Sequence, residues 1–258
     1  MVTDAGFDLT GRRALVTGAS AGIGGAIALR LAGAGARVVA VSRSGRLPVD
    51  GAGVTPPGVV AMVADLADAA SLDTVVDRAV ELLDGGLDIV VNNAGRADWV
   101  PLSDIDRPFF DGLVALDLWA PLRICQLAHP HLAASDDAAV VMIGSIDAVR
   151  PSAGGAVYGA MKAALAAATV ALAKEWRHDA IRVTQVDPGL IDTPMAAPVV
   201  AQLTAEGFGT NLAGRAGTGD EIAALVHYLV APAGRFANGT SFRVDGGALA
   251  MGPFDLRG

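Results

Sequence analysis

The 258-residue chain predicts an α/β protein, a doubly wound parallel sheet of about seven strands with helices on both faces, and three observations carry that expectation. Short runs rich in Val and Ile alternate with longer Ala/Leu segments at helical spacing, the pattern of strand–helix–strand units. Several strands read as nearly continuous apolar runs (VVAV, DIVV, AVVMI), as strands buried on both faces do. The first strand also runs straight into a glycine-rich turn and then an apolar-periodic helix.

In chain order, strands are expected near 13–17, 37–42, 59–64, 88–92, 139–144, 182–186 and 241–244. Helices are expected near 22–34, 69–84, 104–133, 154–177 and 219–231. Residues 43–58 carry Gly and Pro too densely for a helix, so that crossover is read as a loop. Residues 188–218 have weak periodicity and read as a long substrate loop. No repeat, linker or composition shift appears, so residues 1–258 are taken as one domain.

Composition narrows the function classes. Hydrophobic residues at 52% against 18% charged exclude intrinsic disorder. The net charge of −8, with no run of Lys and Arg, argues against a nucleic-acid or anionic-membrane partner. The single cysteine, Cys125, lies among apolar residues and reads as a core residue of a protein from a reducing compartment. The N-terminal segment lacks a basic stretch followed by an apolar one, and the apolar run Ala163–Ala173 is only eleven residues long. A cytoplasmic location is expected. His129, His131, His178 and His227 are scattered without ligand spacing, so no metal site is expected. Trp99, Trp119 and Trp176 read as packing residues, Trp99 also as a pocket wall.

After the first strand come Gly18-Ala19-Ser20-Ala21-Gly22-Ile23-Gly24. Glycines here let a backbone approach a pyrophosphate, and the following helix N-terminus offers free N–H groups and partial positive charge. An ordinary tight turn is the alternative. Farther on, Tyr158 and Lys162 stand four residues apart in a chain with two tyrosines and two lysines, which stacks them on one helix face. A phenol ionises near pH 10. Bringing it to about 7 takes roughly 4 kcal/mol, which one cation at about 4 Å supplies in an effective dielectric of about 20. Ser145 closes the fifth strand thirteen residues before Tyr158.

With Thr17, the segment TGASAGIG resembles the glycine motif of the short-chain dehydrogenase/reductase family. The resemblance extends in order through Asn92-Asn93-Ala94-Gly95, Ser145, the Tyr158/Lys162 pair, Pro188-Gly189-Leu190-Ile191-Asp192-Thr193 and Val244-Asp245-Gly246-Gly247, nearly the whole chain. It implies a Rossmann-type fold and hydride transfer between a nicotinamide and a carbonyl or secondary alcohol. In that reading Tyr158 moves the proton, Ser145 steadies the substrate oxygen, and Lys162 lowers the tyrosine pKa and meets the nicotinamide ribose. The family usually has Asn where this chain has Asp117, which joins the catalytic set as a departure. It usually also has Asn where Asp187 precedes Pro188.

The same resemblance implies cofactor contacts at Gly18, Ser20, Gly22, Ile23, Gly24, Ser42, Arg43, Asp65, Leu66, Asn93, Ala94, Gly95, Tyr158, Lys162, Pro188, Gly189, Ile191 and Thr193. Ser42 stands where NAD-binding folds place an acid for the ribose 2′-OH, and Arg43 follows it. A hydroxyl and a guanidinium suit a 2′-phosphate, so NADP(H) is expected and NAD(H) is the alternative. Ala21 stands where many NADP users carry a second basic residue. Asp65 is expected at the adenine or as a helix N-cap. An NAD-linked alcohol dehydrogenase and a cofactor-binding scaffold or sensor of weak activity are the rival functions. The resemblance also implies a homo-oligomer, dimer or tetramer, built through the helix around 154–177, whose Ala and Gly residues permit close approach. Met195, Val199, Leu203 and Phe208 suggest an uncharged small-molecule substrate.

Overall fold

Seven strands, all parallel, lie in the order β3-β2-β1-β4-β5-β6-β7 in a computed structural model that describes residues 6–207 and 209–251. They are β1 (Arg13–Thr17), β2 (Arg37–Ser42), β3 (Val59–Val63), β4 (Ile89–Asn92), β5 (Ala139–Ile143), β6 (Arg182–Pro188) and β7 (Ser241–Val244). Six of them end within a residue of the sequence expectation, and β6 runs on to Pro188. The order reverses between β1 and β4, and that switch point opens a crevice at the carboxyl ends of the strands.

Alternation along each strand feeds two cores. Leu15, Val39, Val41, Val90, Val140, Met142 and Val183 face α2 (Ala69–Leu82), α4 (Ala120–Ala133) and α5 (Ala156–Glu175). Their neighbours Ala14, Val16, Val38, Ala40, Val91 and Val141 face α1 (Gly22–Gly33) and α7 (Gly219–Val230) on the other side. Both faces are covered, as parallel strands require. Cys125 and Trp176 lie in the first core, whereas Trp119 is half exposed and does not pack as expected.

Three differences from the sequence reading matter. The expected helix near 104–133 is α3 (Arg107–Val114), a π turn (Ala115–Trp119) and α4 in unbroken succession. The long connection 188–218 is not all loop: it contains α6 (Ala197–Ala205), whose residues are all at least partly exposed. Its Met195 and Val199 are exposed, and Phe208 lies outside the described residues. Finally, the apolar stretch of α5 continues through a 3-10 turn to Asp179 and meets a bilayer-spanning test by length and composition, beyond the eleven residues expected. About a third of that stretch is buried, along the face of Leu165, Thr169 and Ala173 that packs on β6.

Candidate active site

The glycine turn between β1 and α1 is shaped by contact. Gly18 has φ +65°, and a Cβ there would stand 2.8 Å from Asn93 Nδ2 and 3.0 Å from Ala94 Cα. A Cβ on Gly24 would come within 2.3 Å of the same amide and 2.5 Å of the Gly18 carbonyl. Asn93 in turn donates from Nδ2 to the Thr17 and Gly18 carbonyls at 2.9 and 3.3 Å. Thr17 Oγ1 accepts from the N–H groups of Asn93 and Ala94, both at 2.9 Å. Asn93 and Ala94 thus hold the turn from below. Ser20 and Ile23 lie within the turn and the first helical residues, and the Ala21 N-cap makes no side-chain bond to the helix.

Around the turn, Ser42 at the end of β2 accepts from the Gly45 N–H at 3.1 Å. Arg43 beside it is exposed and forms no ion pair among the described residues. Asp65 accepts from Ala67 N at 3.0 Å in a local turn; the N-cap of α2 is Asp68, so the capping alternative for Asp65 fails. Leu66 is buried. Pro188 pairs with Val244, and Gly189 N donates to the Val244 carbonyl at 2.9 Å. Ile191 is buried and bridges Gly217, which brings the Thr193 methyl to 3.3 Å from a Cβ built on Gly22. The 188–218 segment therefore folds over the glycine turn.

The catalytic set gathers at the ends of β5 and β4. Ser145 follows β5, caps a 3-10 turn (Ile146–Ala148) by accepting from Asp147 N at 3.1 Å, and lies beside the Tyr158 phenol. On α5, Lys162 holds its Nζ 5.6 Å from the Tyr158 ring centroid and donates to the Ile143 carbonyl at 3.2 Å. The ring of Trp99 stands 6.2 Å from that of Tyr158, as a pocket wall would. Gly95 makes room for a charge pair: a Cβ there would meet Asp117 Oδ1 at 2.6 Å and Lys162 Nζ at 3.5 Å.

That pair is the centre's main departure from expectation. Asp117 is 1% exposed and Lys162 5%, and their charged atoms are 3.3 Å apart. The π turn supplies the extra backbone residue that turns Asp117 inward, where Arg96 N donates to Oδ2 at 3.3 Å. Two more buried carboxylates, Asp147 and Asp187, bear on the phenol. Asp187 accepts from Gln185 Nε2 at 2.7 Å, and Gly144 leaves it space. Sequence reasoning missed Asp147; its only signal was its place two residues after Ser145.

Electrostatics follows from this crowding. Burial pushes Asp117 up from the usual carboxylate range, against the pull of Lys162 and Arg96. Burial likewise raises Asp187. The Tyr158 phenol is raised, first by burial and then by Asp117, Asp147 and Asp187, with only the Ser145 hydroxyl acting strongly the other way. Lys162, the cation expected to favour the phenolate, has its own charge met by the Asp117 carboxylate at 3.3 Å. Burial also pushes Cys125 up to about 12, which fits an unreactive core thiol. His227 Nε2 lies 2.7 Å from the Phe7 carbonyl, a structural contact.

A sheet that reverses beside a glycine turn, with a serine, a tyrosine and a lysine gathered at the neighbouring strand ends, defines a Rossmann-type oxidoreductase class. A family described as Enoyl-(Acyl carrier protein) reductase matches residues 18–248. A tropinone reductase homolog from Arabidopsis thaliana is 32% identical over 254 residues, covering 96% of this chain and 97% of the relative. Among solved structures, a short-chain dehydrogenase from Burkholderia cenocepacia in complex with NADP is 36% identical with a TM-score of 0.82, covering 93% of this chain and 99% of that one. A 3-ketoacyl-(acyl-carrier-protein) reductase from Brucella melitensis complexed with NADH is 28% identical with a TM-score of 0.83, covering 93% and 99%. The chain belongs to the short-chain dehydrogenase/reductase family and is an oxidoreductase.

Proposed function

We propose that the chain is a single-domain NADP(H)-dependent oxidoreductase that interconverts a carbonyl and a secondary alcohol on a small, uncharged substrate. The observation that carries this reading is the gathering of Ser145, Tyr158 and Lys162 beside the glycine turn, with Trp99 along the intervening space. When bound, the nicotinamide supplies the hydride for carbonyl reduction and takes it up in alcohol oxidation. Tyr158 gives or takes the proton at the substrate oxygen, and Ser145 orients that oxygen by hydrogen bonding. Lys162 is held by the Ile143 carbonyl and Asp117 one helical turn from Tyr158, where it would hold the nicotinamide ribose.

The residues present fit a dinucleotide. The N–H groups at the start of α1 and the close-packed turn of Gly18, Gly22 and Gly24 suit a pyrophosphate. Asp65 and Leu66 would border the adenine, and Pro188, Gly189, Ile191 and Thr193 the carboxamide. The exposed Arg43 guanidinium favours NADP(H), whose 2′-phosphate it would meet, and the Burkholderia relative binds NADP. The Brucella relative carries NADH, so NAD(H) is the second reading. Parallel titration of NADPH and NADH decides between them; tighter NADH binding would overturn the preference.

Tyr158→Phe should lower carbonyl turnover by about 10² or more while leaving NADPH binding nearly intact. Full activity in that variant would refute the assignment. A scaffold or sensor function, motivated by Asp117 in the usual Asn place, predicts tight NADPH binding with no turnover across a carbonyl panel. We further propose a cytoplasmic homo-oligomer, dimer or tetramer. Light scattering that shows only the 25.9 kDa chain would overturn the assembly.

A further inference from the structure

We propose that Asp117 is a positioning residue that ties up the Lys162 ammonium and so fits this centre to reduce carbonyls rather than oxidise alcohols at neutral pH. The inference rests on the reading of Tyr158 as the proton-transfer group. Its ground is the geometry of charge around that phenol. Asp117 arrives from the π turn, Asp147 from the 3-10 turn after Ser145, and Asp187 from the end of β6. All three are buried, and the one buried ammonium among the described residues, Lys162, lies against the first of them at 3.3 Å. Arg96 is the other nearby cation, and its guanidinium is bonded to Asp98 instead. Gly95 gives the pair its place, since any side chain there would collide with Asp117 Oδ1.

The consequence follows from proton balance. In reduction the oxygen receives a hydride at its carbon and a proton from Tyr158, so the competent state is the neutral phenol, which solvent then restores. In oxidation Tyr158 must first be a phenolate to take the hydroxyl proton. A lysine whose charge is matched by Asp117 gives little help to that phenolate, and two further carboxylates oppose it. The Tyr158 phenol is raised first by burial and then by these three carboxylates, the direction this arrangement requires. At neutral pH the proton donor is fully populated and the base is scarce.

The test reads ionisation rather than turnover. The chain has two tyrosines, so the phenolate absorbance of wild type minus that of Tyr158→Phe isolates Tyr158 from Tyr228. In wild type, less than half of Tyr158 should be ionised at about pH 10, the free phenol midpoint. In Asp117→Asn the midpoint should fall by about 1–3 pH units, and in Asp117→Glu it should stay near wild type. The acid limb of alcohol oxidation should move with the midpoint in Asp117→Asn. A wild-type midpoint at or below that of free phenol overturns the proposal, and so does an unchanged midpoint in Asp117→Asn. Should Asp117→Asn fail to fold by circular dichroism, Asp117→Ser is titrated in its place, with the same fall expected and an unchanged midpoint overturning the proposal. Because this titration needs no substrate, its failure is distinguishable from an active Tyr158→Phe enzyme, which would refute the underlying assignment instead.

Discussion

At the amino end of the sheet Asp88 and Asp137 sit among four guanidiniums, whereas at the carboxyl end Asp117, Asp147 and Asp187 share one buried ammonium. Asp137 accepts from Arg12, Arg182 and Arg235 together. Asp88 takes a two-pronged bond from Arg13 at 2.9 and 3.0 Å and another from the Ser135 hydroxyl at 2.7 Å. Burial works against both carboxylates, yet these partners hold them below the usual range. At the opposite end burial wins, and Asp117 and Asp187 are raised. One sheet thus has a compensated end and an under-compensated one. The first pins β1, β4, β5 and β6 together; the second keeps under-compensated carboxylates around the group proposed for proton transfer.

The largest expected effect comes from breaking the compensated end. Asp137→Asn leaves Arg12 and Arg182, both mostly buried, without their shared counter-charge. A loss of about 3 kcal/mol is expected, at the lower end for a broken buried pair because Arg235 reaches the cluster from solvent. Urea unfolding measures it, with cofactor affinity changed far less than stability. A loss under about 1 kcal/mol would mean that the two ends are equally tolerant.

The next effect is at the carboxyl end but acts through shape rather than charge. Gly24→Ala puts a methyl into the space of Asn93 Nδ2 and the Gly18 carbonyl. Overpacking of this kind costs about 1–3 kcal/mol. Because the displaced groups form the glycine turn itself, dinucleotide affinity should fall along with the melting temperature. A destabilised variant that still binds NADPH normally would separate the turn from the cofactor site.

Even within the carboxyl end, features were unequally legible in the sequence. The glycine turn was readable because its cause is local: three glycines between an apolar strand and a helix leave few other structures. The strand limits were readable for the same reason, since β-rich runs and turn residues alternate sharply. Helix α6 was not, because Ala197–Ala205 is small and apolar almost throughout and offers no periodicity to detect. The pairing of Asp117 with Lys162 was beyond reach for a different reason. It joins residues 45 apart and depends on a π turn that no residue pattern announced and on the missing side chain of Gly95. Sequence could show that Asp117 departs from the usual Asn, but not that its carboxylate faces the lysine. The paired lysine, and the buried, raised phenol beside it, emerged only from the packing.

The smallest effect gives the sharpest comparison, since it turns on sign rather than size. Asp187 is raised by burial, opposed by Gln185, the Ser145 backbone, Lys162 and Ser241, so its net influence on stability is modest. A carboxyl raised in the folded state binds its proton more tightly there than in the unfolded chain. Its contribution is therefore lost as pH rises from the ordinary 3.8 through the folded value. Asp88 and Asp137 behave oppositely: their stabilisation is present above the unfolded value and is lost as pH falls through the depressed folded values. In Asp187→Asn the Asp187 part of the carboxyl-end loss disappears, while the Asp117 part and the amino-end behaviour remain. The melting temperature of the variant relative to wild type should then be higher at about pH 7 than at about pH 4. A difference that is constant across that range, or that grows on acidification, would show that the buried carboxyl is not raised and that the two ends of the sheet are electrostatically alike.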